Sequence, residues 1–247
     1  MDTNTPRKLN EIEHGKKIAH NAEDVWGHAK LAGQSRIDRR VGIMIEKGGI
    51  DGSARVLELG CGTGEFTRRL ADTGAEITGI DISPDLLALA EKKLSGIRNV
   101  RLEIADMEKL ENFPENYFTA IVGNSVLHHV DYVACLRVAL KKLASGGRIV
   151  FSEPNMMNPQ IAIQKSVPFV KKMAGDSPDE TAFFRKRLAE DLQKIGYKNV
   201  SVENFDFMHP AMPDALIGLF RKAFLWLEKV PIIKEISGSL LIYAEKE

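Results

Sequence analysis

The sequence predicts an α/β protein with a doubly wound, mostly parallel sheet of seven strands, N-terminal helices and an insertion after strand five. Strands alternate with helices five times between residues 55 and 152, which is typical of parallel strands joined by crossover helices. A glycine-rich turn follows the first strand, and acidic residues follow the second and third strands. Two more strands lie near the end of the chain.

The glycine-rich turn joins a strand at residues 56–59 to a helix that begins at Glu65. Gly60, Gly62 and Gly64 fall at alternate positions, where they permit dihedrals that a Cβ forbids and let a ligand lie against the main chain. A dinucleotide fold requires G-x-G-x-x-G, but Glu65 occupies the position of its third glycine. Since a carboxylate beside a pyrophosphate is unfavourable, a nicotinamide oxidoreductase is the weaker alternative.

The run E-L-G-C-G-T-G closely resembles motif I of the class I S-adenosylmethionine-dependent methyltransferases. In that family the loop wraps the amino-acid end of a cofactor whose sulfonium is positive. The resemblance implies that the methionine end of S-adenosylmethionine is held by Glu58, Gly60, Cys61, Gly62, Thr63 and Gly64.

Composition limits the other functions. Lys plus Arg and Asp plus Glu number 34 each, so the chain lacks the overall basic charge typical of non-specific DNA binding, and no DNA partner is expected. The two cysteines give no metal-ligand spacing, so no metal site is predicted. No apolar leader and no run of about 18 apolar residues is present, which predicts a cytoplasmic protein without a transmembrane segment.

Residues 1–45 are predicted to form an N-terminal helical segment or lid. Their start is polar and expected to be irregular, and helical spacing runs over 18–44 with a break near Gly33. The segment either closes over the cofactor or presents a solvated basic face anchored by Trp26. In the first case the side chains expected near the cofactor carboxylate are Gln34, Arg36 and Arg40.

Asp81 follows the second strand, residues 76–80, about 20 positions beyond the glycine turn, where such folds place a carboxylate for the ribose hydroxyls. The alternative is a helix cap, but Ser83 and Pro84 already supply the cap and first position of the next helix, 84–95. The helix between turn and strand is predicted over 65–73.

Ala105, Asp106 and Met107 follow the third strand, 100–104. In the family that the sequence resembles, an acid here contacts the adenine amino group while its neighbour packs on the ring. The resemblance implies that Asp106 binds the amine and that Ile82 and Met107 flank the adenine.

The fourth strand, 119–123, opens into Asn124 and Ser125, which the resemblance places near the cofactor sulfur. His128 and His129 follow and are either a general base or the packed start of a helix. The Asn/Asp-Pro-Pro-aromatic run of base and amide methyltransferases is absent, which argues against a base-flipping enzyme. A helix at 132–143, a stop at 145–147 and strand 148–152 lead to Glu153, a second candidate base or a turn-stabilising carboxylate.

Residues 46–247 are assigned to the methyltransferase domain, with the insertion at about 154–180 as a methionine-rich substrate cap. A helix at 179–195 and strands at 199–205 and 239–244 complete the fold as an antiparallel hairpin. The apolar helix 214–229 between them packs in the core, forms a homodimer face or contacts a membrane surface.

The predicted activity is methyl transfer from S-adenosylmethionine to an oxygen, nitrogen or carbon of a small-molecule or lipid-like acceptor. A protein or RNA acceptor, and a cofactor-binding module without turnover, are the alternatives.

Overall fold

The computed structural model describes residues 5–173, 180–210 and 212–247. Its centre is a seven-stranded sheet in the order β3-β2-β1-β4-β5-β7-β6. The pairs β1–β2, β2–β3, β1–β4 and β4–β5 are parallel, while β7 runs antiparallel to both β5 and β6. The strands are β1 Arg55–Leu59, β2 Glu76–Asp81, β3 Val100–Ile104, β4 Phe118–Asn124, β5 Leu143–Pro154, β6 Lys198–Phe205 and β7 Ser239–Glu245. The predicted fold class is confirmed.

Helices cover both faces of the sheet, because the central strands are apolar on both sides. One core lies against α6 and α9 and includes Leu57, Phe151 and Leu188. The other lies against α3 and α4 and includes Val56 and Leu70. The helices are α1 Pro6–Ile18, α2 Ala22–Val25, α3 Leu31–Gly48, α4 Glu65–Ala71, α5 Pro84–Lys93, α6 Tyr132–Lys142, α7 Pro159–Ser166, α8 Pro168–Met173, α9 Arg185–Ile195, α10 Asp214–Leu227 and α11 Pro231–Lys234.

The N-terminal prediction was wrong in two details. The chain is helical from Pro6, where an irregular start was expected, because proline suits the first turn of a helix. The break falls between α2 and α3 and not at Gly33, which lies inside α3. Gly33 is needed for close packing, since a Cβ there would stand 1.8 Å from the carbonyl oxygen of Gly27.

After the fourth strand, two other element boundaries differ from the predicted ones. Strand β5 begins at Leu143, directly after α6, and includes the glycines that were expected to stop the helix, because Gly146 donates to the carbonyl of Lys246. Helix α9 begins at Arg185, later than the predicted start at 179, because Phe183 forms a β-bridge with Asn155 and is not helical. Residues 174–179, which the predicted cap and helix include in part, lie outside the described residues.

The insertion after β5 forms α7 and α8, and the connection between β6 and β7 carries α10 and α11. Asn158, the N-cap of α7, donates to the carbonyl of Ile236 beyond α11, so the two insertions are neighbours. Within the described residues, no helix is long and apolar enough to cross a membrane.

Candidate active site

A cavity of about 520 Å³ lies at the carboxyl ends of the central strands, between the glycine turn, the N-terminal helices, α7 and residues 206–210. Ligands of open α/β sheets bind at this edge. It brings together most of the predicted site residues: Gly60, Cys61, Gly62, Thr63, Asp81, Ile82, Asp106, Met107, Asn124, Ser125, His128 and His129. The others, Glu58, Gly64, Ala105 and Glu153, are buried residues outside its lining.

Asp81 ties the second strand to the glycine turn. One carboxylate oxygen accepts from the Gly62 amide at 2.9 Å, and the other accepts from the Ser83 amide at 2.9 Å. Burial raises the pKa of Asp81 while these backbone donors oppose the shift. Ser83 itself caps α5, as the sequence predicted. Since each carboxylate oxygen has a second lone pair, Asp81 retains the capacity to accept from two vicinal hydroxyls.

Of the remaining turn residues, some stabilise the turn by internal contacts and others line the cavity. Glu58 accepts from the Thr67 hydroxyl at 2.6 Å, and burial raises the pKa of Glu58 to about 7, so this side chain fastens strand to helix. Burial also raises the pKa of the Cys61 thiol, which remains protonated. By contrast, the Thr63 hydroxyl lines the cavity and is buried with no hydrogen-bond partner among the described residues. A buried hydroxyl of this kind calls for a ligand acceptor.

Helix α1 covers the predicted adenine end. Lys8 is buried and its ammonium lies 2.6 Å from Asp106 and 2.8 Å from Glu108. Burial would lower the pKa of Lys8, but the hydrogen bonds to the two carboxylates raise it. Asp106 also accepts from the Glu108 amide at 2.9 Å, so its carboxylate is held in a fixed orientation at the cavity.

Another side of the cavity is formed by a buried ionic cluster around two arginines of α3. Arg40 donates to Asn124 at 2.7 Å, to Asp206 at 2.6 Å and to Ser239 at 2.8 Å, while Arg36 donates to Asp206 at 2.9 Å. Burial, followed by the charge of Arg36, lowers the pKa of Arg40 to about 10. The prediction of a solvated basic face is therefore wrong for Arg40, because this side chain is buried and orients Asn124.

Gln34, the third side chain expected near the cofactor carboxylate, lies outside the cavity lining. It donates to the His28 carbonyl at 2.6 Å and accepts from Arg69. It therefore links the N-terminal segment to α4. Trp26, the expected anchor, lies over the turn, since a Cβ on Gly62 would come within 3.1 Å of its ring.

At the other end of the cavity, His128 and Glu153 form a buried pair. The Nδ1 atom of His128 lies 2.7 Å from one Glu153 oxygen, and the other oxygen accepts from the Val126 and Leu127 amides at 2.8 Å each. Burial raises the pKa of Glu153 to about 7. Burial, followed by the charge of His129, keeps the pKa of His128 well below 6.5, so its ring is neutral at pH 7. A carboxylate bonded to Nδ1 leaves Nε2 as the proton acceptor.

His129 is paired differently. Its Nδ1 atom lies 2.9 Å from Glu11 on α1. Burial alone would lower its pKa, but the hydrogen bond to Glu11 and the charge of Glu180 raise it. His128, His129 and Glu180 offer ligand atoms within 4.8 Å of one another, a spacing that could hold a divalent ion. The ammonium of Lys165 pairs with Glu180 at that point, so a lysine side chain supplies the positive charge that a divalent ion would bring.

Sequence reasoning missed Lys8, Glu11, Glu180 and Asp206 as residues of the cavity. For α1 a signal existed: Lys8, Glu11, Gly15 and Ile18 recur every three or four residues and share one helix face. Glu180 and Asp206 lie in segments without periodicity, and their partners are distant in the chain.

The fold and cavity define a class: a Rossmann-like protein with a glycine turn, an acid after the second strand and an acid after the third, suited to an adenosine-type cofactor that lacks a pyrophosphate. The polar groups fit such a cofactor, because the cavity lining includes the Asp81 carboxylate and the Thr63 hydroxyl, which has no hydrogen-bond partner among the described residues. A model of the methyltransferase domain matches residues 50–186, more than half of the chain. The chain therefore belongs to the S-adenosylmethionine-dependent methyltransferases, and S-adenosylmethionine is its cofactor.

Individual relatives agree. Over 188 residues the chain is 31% identical to demethylmenaquinone methyltransferase of Tropheryma whipplei, with 69% of this chain and 77% of that one covered. Over 106 residues it is 33% identical to ubiquinone biosynthesis O-methyltransferase of Xanthomonas oryzae pv. oryzae, with 41% and 44% covered. The phosphoethanolamine N-methyltransferase 2 structure from Haemonchus contortus, in complex with S-adenosyl-L-methionine, is similar in fold, with a TM-score of 0.62 at 18% identity over 85% of this chain and 52% of that chain.

Proposed function

We propose that the protein methylates a small, largely apolar acceptor on a hydroxyl oxygen. The observation that carries this proposal is the cavity itself, whose lining includes His128 and His129 together with residues of α7 and residues 206–210. The total volume, about 520 Å³, is within the range of small-molecule sites.

When bound, S-adenosylmethionine supplies an electrophilic methyl group on its sulfonium. The proposed tasks of the chain are then to hold the cofactor, to orient the acceptor and to exclude water. The Thr63 hydroxyl binds the amino-acid end, Asp81 the ribose and Asp106 the adenine amine. Asn124, fixed by Arg40, lines the region near the sulfur. Positioning of this kind supplies up to about 7–11 kcal/mol in the best cases.

A hydroxyl acceptor must lose its proton, and the neutral ring of His128 offers Nε2 to receive it. Glu153 holds Nδ1 at 2.7 Å and stabilises the imidazolium that forms, while burial lowers the pKa of the ring and so opposes protonation. Glu180, whose oxygen lies 3.7 Å from Nε2, is itself paired with Lys165, so its charge is largely offset. Base catalysis by a positioned imidazole is worth about 10²–10⁴-fold in rate.

The relatives support the acceptor class. Those named above include demethylmenaquinone methyltransferase and ubiquinone biosynthesis O-methyltransferase, both named for quinones. Apolar side chains also line this end of the cavity, among them Ile161, Phe207, Met208 and Pro210. An acceptor with an apolar ring or alkyl chain and one polar end therefore matches this part of the cavity.

The test is a transfer assay with radiolabelled S-adenosylmethionine against four probe groups: alkyl-substituted catechols and hydroquinones, alkyl amines, mixed peptides and total RNA. We expect methylation of the first group. His128→Gln should then lower kcat by about 10²–10⁴-fold, with S-adenosylhomocysteine affinity unchanged. The matched control is His20→Gln, since His20 is exposed and lies outside the cavity lining. Methylation of peptides or RNA alone, or an unchanged kcat in His128→Gln, would overturn the proposal.

A further inference from the structure

Helix α10 carries half-buried and exposed apolar side chains. Ile217, Phe224 and Leu227 are half-buried, and the helix contacts α3. A second set is exposed and spans an arc of about 120° at 3.6 residues per turn. That set is Leu216, Leu219, Phe220, Ala223 and Trp226, with Leu219 72% and Trp226 61% exposed. No residue of this 14-residue helix is buried, and Phe220 stacks on Phe224 with ring centroids 5.9 Å apart.

Helices α7 and α8 add a second exposed apolar group. Phe169 and Met173 are each 72% exposed, and Ile163 and Val167 are exposed beside them. The start of α7 lies beside the segment that leads into α10, because Gln160 lies 3.0 Å from His209. We call these exposed side chains of α7, α8 and α10 the docking face. It exceeds the scattered apolar residues that a protein surface ordinarily carries.

The docking face surrounds one end of the cavity. Gln160, Ile161 and Gln164 on α7 line the cavity, as do Met208 and Pro210 just before α10. The same two segments therefore carry apolar side chains outward and cavity-lining side chains inward.

The charges beside the docking face are mainly basic. Arg221, Lys222, Lys229 and Lys234 lie on or beside α10 and α11, and none has a carboxylate within 4.0 Å among the described residues. The two glutamates of this region are already neutralised, Glu228 by Arg39 and Glu235 by Arg185. On the helical wheel, Lys222 borders the exposed apolar arc. Aromatic and aliphatic side chains flanked by lysine and arginine are typical of helices that lie in a membrane interface.

We infer that the docking face lies on an anionic bilayer surface, with α10 in the headgroup region and the cavity opening toward the lipid. The inference extends the proposed lipid-like acceptor, which would enter from the bilayer between α7 and residues 206–210. A second copy of the chain is a less suitable occupant, since Lys222 and Lys229 would bring like charges together across a twofold interface.

The experiment measures binding of the full chain to sonicated vesicles without any acceptor, so its outcome is independent of the methyl-transfer assay. Vesicles contain phosphatidylcholine alone or with about 30 mol% phosphatidylglycerol. We expect the chain to sediment with the anionic vesicles about tenfold more than with the neutral ones, and less at high salt. In a Trp26→Phe background, Trp226 fluorescence should shift to the blue when vesicles are added.

Leu219→Glu combined with Trp226→Glu should lower vesicle binding about tenfold or more, and Lys222→Ser with Lys229→Ser should weaken the preference for anionic lipid. The matched control is Leu31→Glu, an equally exposed leucine on α3 outside the docking face. The Glu, Ser and Leu31→Glu variants, made without Trp26→Phe, should retain S-adenosylhomocysteine affinity, which excludes unfolding as the cause. A wild-type chain that stays in the supernatant, equal binding by the Glu double variant, or a dimer dissociated by that variant without vesicle binding would overturn the inference.

Discussion

Asp206 provides the sharpest test of the buried ionic wall. Burial alone would raise its pKa, but the charges of Arg36 and Arg40 and their hydrogen bonds lower it from 3.8 to about 2. At 1.36 kcal/mol per pH unit, this difference corresponds to about 2.4 kcal/mol of stabilisation at pH 7. Asp206→Asn removes that stabilisation and leaves the guanidinium of Arg40, only 6% exposed, without its carboxylate. Breaking a buried pair in this way costs about 3–5 kcal/mol.

The assay is urea unfolding of wild type and Asp206→Asn, followed by circular dichroism. The matched control is Glu203→Gln, which breaks the exposed pair with Lys47 and should change the free energy of unfolding by less than about 1 kcal/mol. Because the folded-state pKa of Asp206 is depressed, its contribution is full above about pH 4 and is lost as the pH falls toward 2. The difference between wild type and variant should therefore narrow over that interval. A loss below 1 kcal/mol at pH 7, or a difference independent of pH between 4 and 2, would refute the reasoning.

Two further predictions concern the cofactor end and the N-terminal helices. Asp81→Ala should weaken S-adenosylhomocysteine binding at least tenfold, about 1.4 kcal/mol by calorimetry, while Asp85→Ala on the exposed first turn of α5 should not; equal affinities would contradict the ribose assignment. Gly33→Ala should lower the free energy of unfolding by about 1–3 kcal/mol, because its Cβ would overlap the Gly27 carbonyl. Gly42→Ala on the same helix meets nothing within 4 Å and should stabilise by about 0.5–1 kcal/mol, and similar effects of the two changes would show that the packing is misjudged.

The sequence was sufficient for the sheet because its signals are local. Each strand is a short apolar run, and the glycine turn and Asp81 follow directly from their positions at strand ends. Ser83 as the cap of α5 is equally local, since a serine before proline predicts a helix start. These features depend on neighbours within a few residues, which a single sequence contains.

The ionic contacts of the cavity depend on distant partners and were not predictable in the same way. From the sequence, Arg40 was placed either near a cofactor carboxylate or on a solvated basic face, but Asp206, 166 positions away, accepts its hydrogen bond. A single sequence does not indicate which acid a buried arginine meets, because tertiary packing decides it. The same holds for Lys165 and Glu180, which meet only when the insertion folds back over the sheet.

Helix α1 connects the two ends of the cavity through side chains one turn apart. Lys8 pairs with Asp106 at the predicted adenine end, and Glu11 pairs with His129 at the acceptor end. Because residues at i and i+3 lie on the same face, a displacement of α1 as a rigid helix would move Lys8 and Glu11 together. We therefore expect a shift of α1 away from the cavity to weaken both ion pairs.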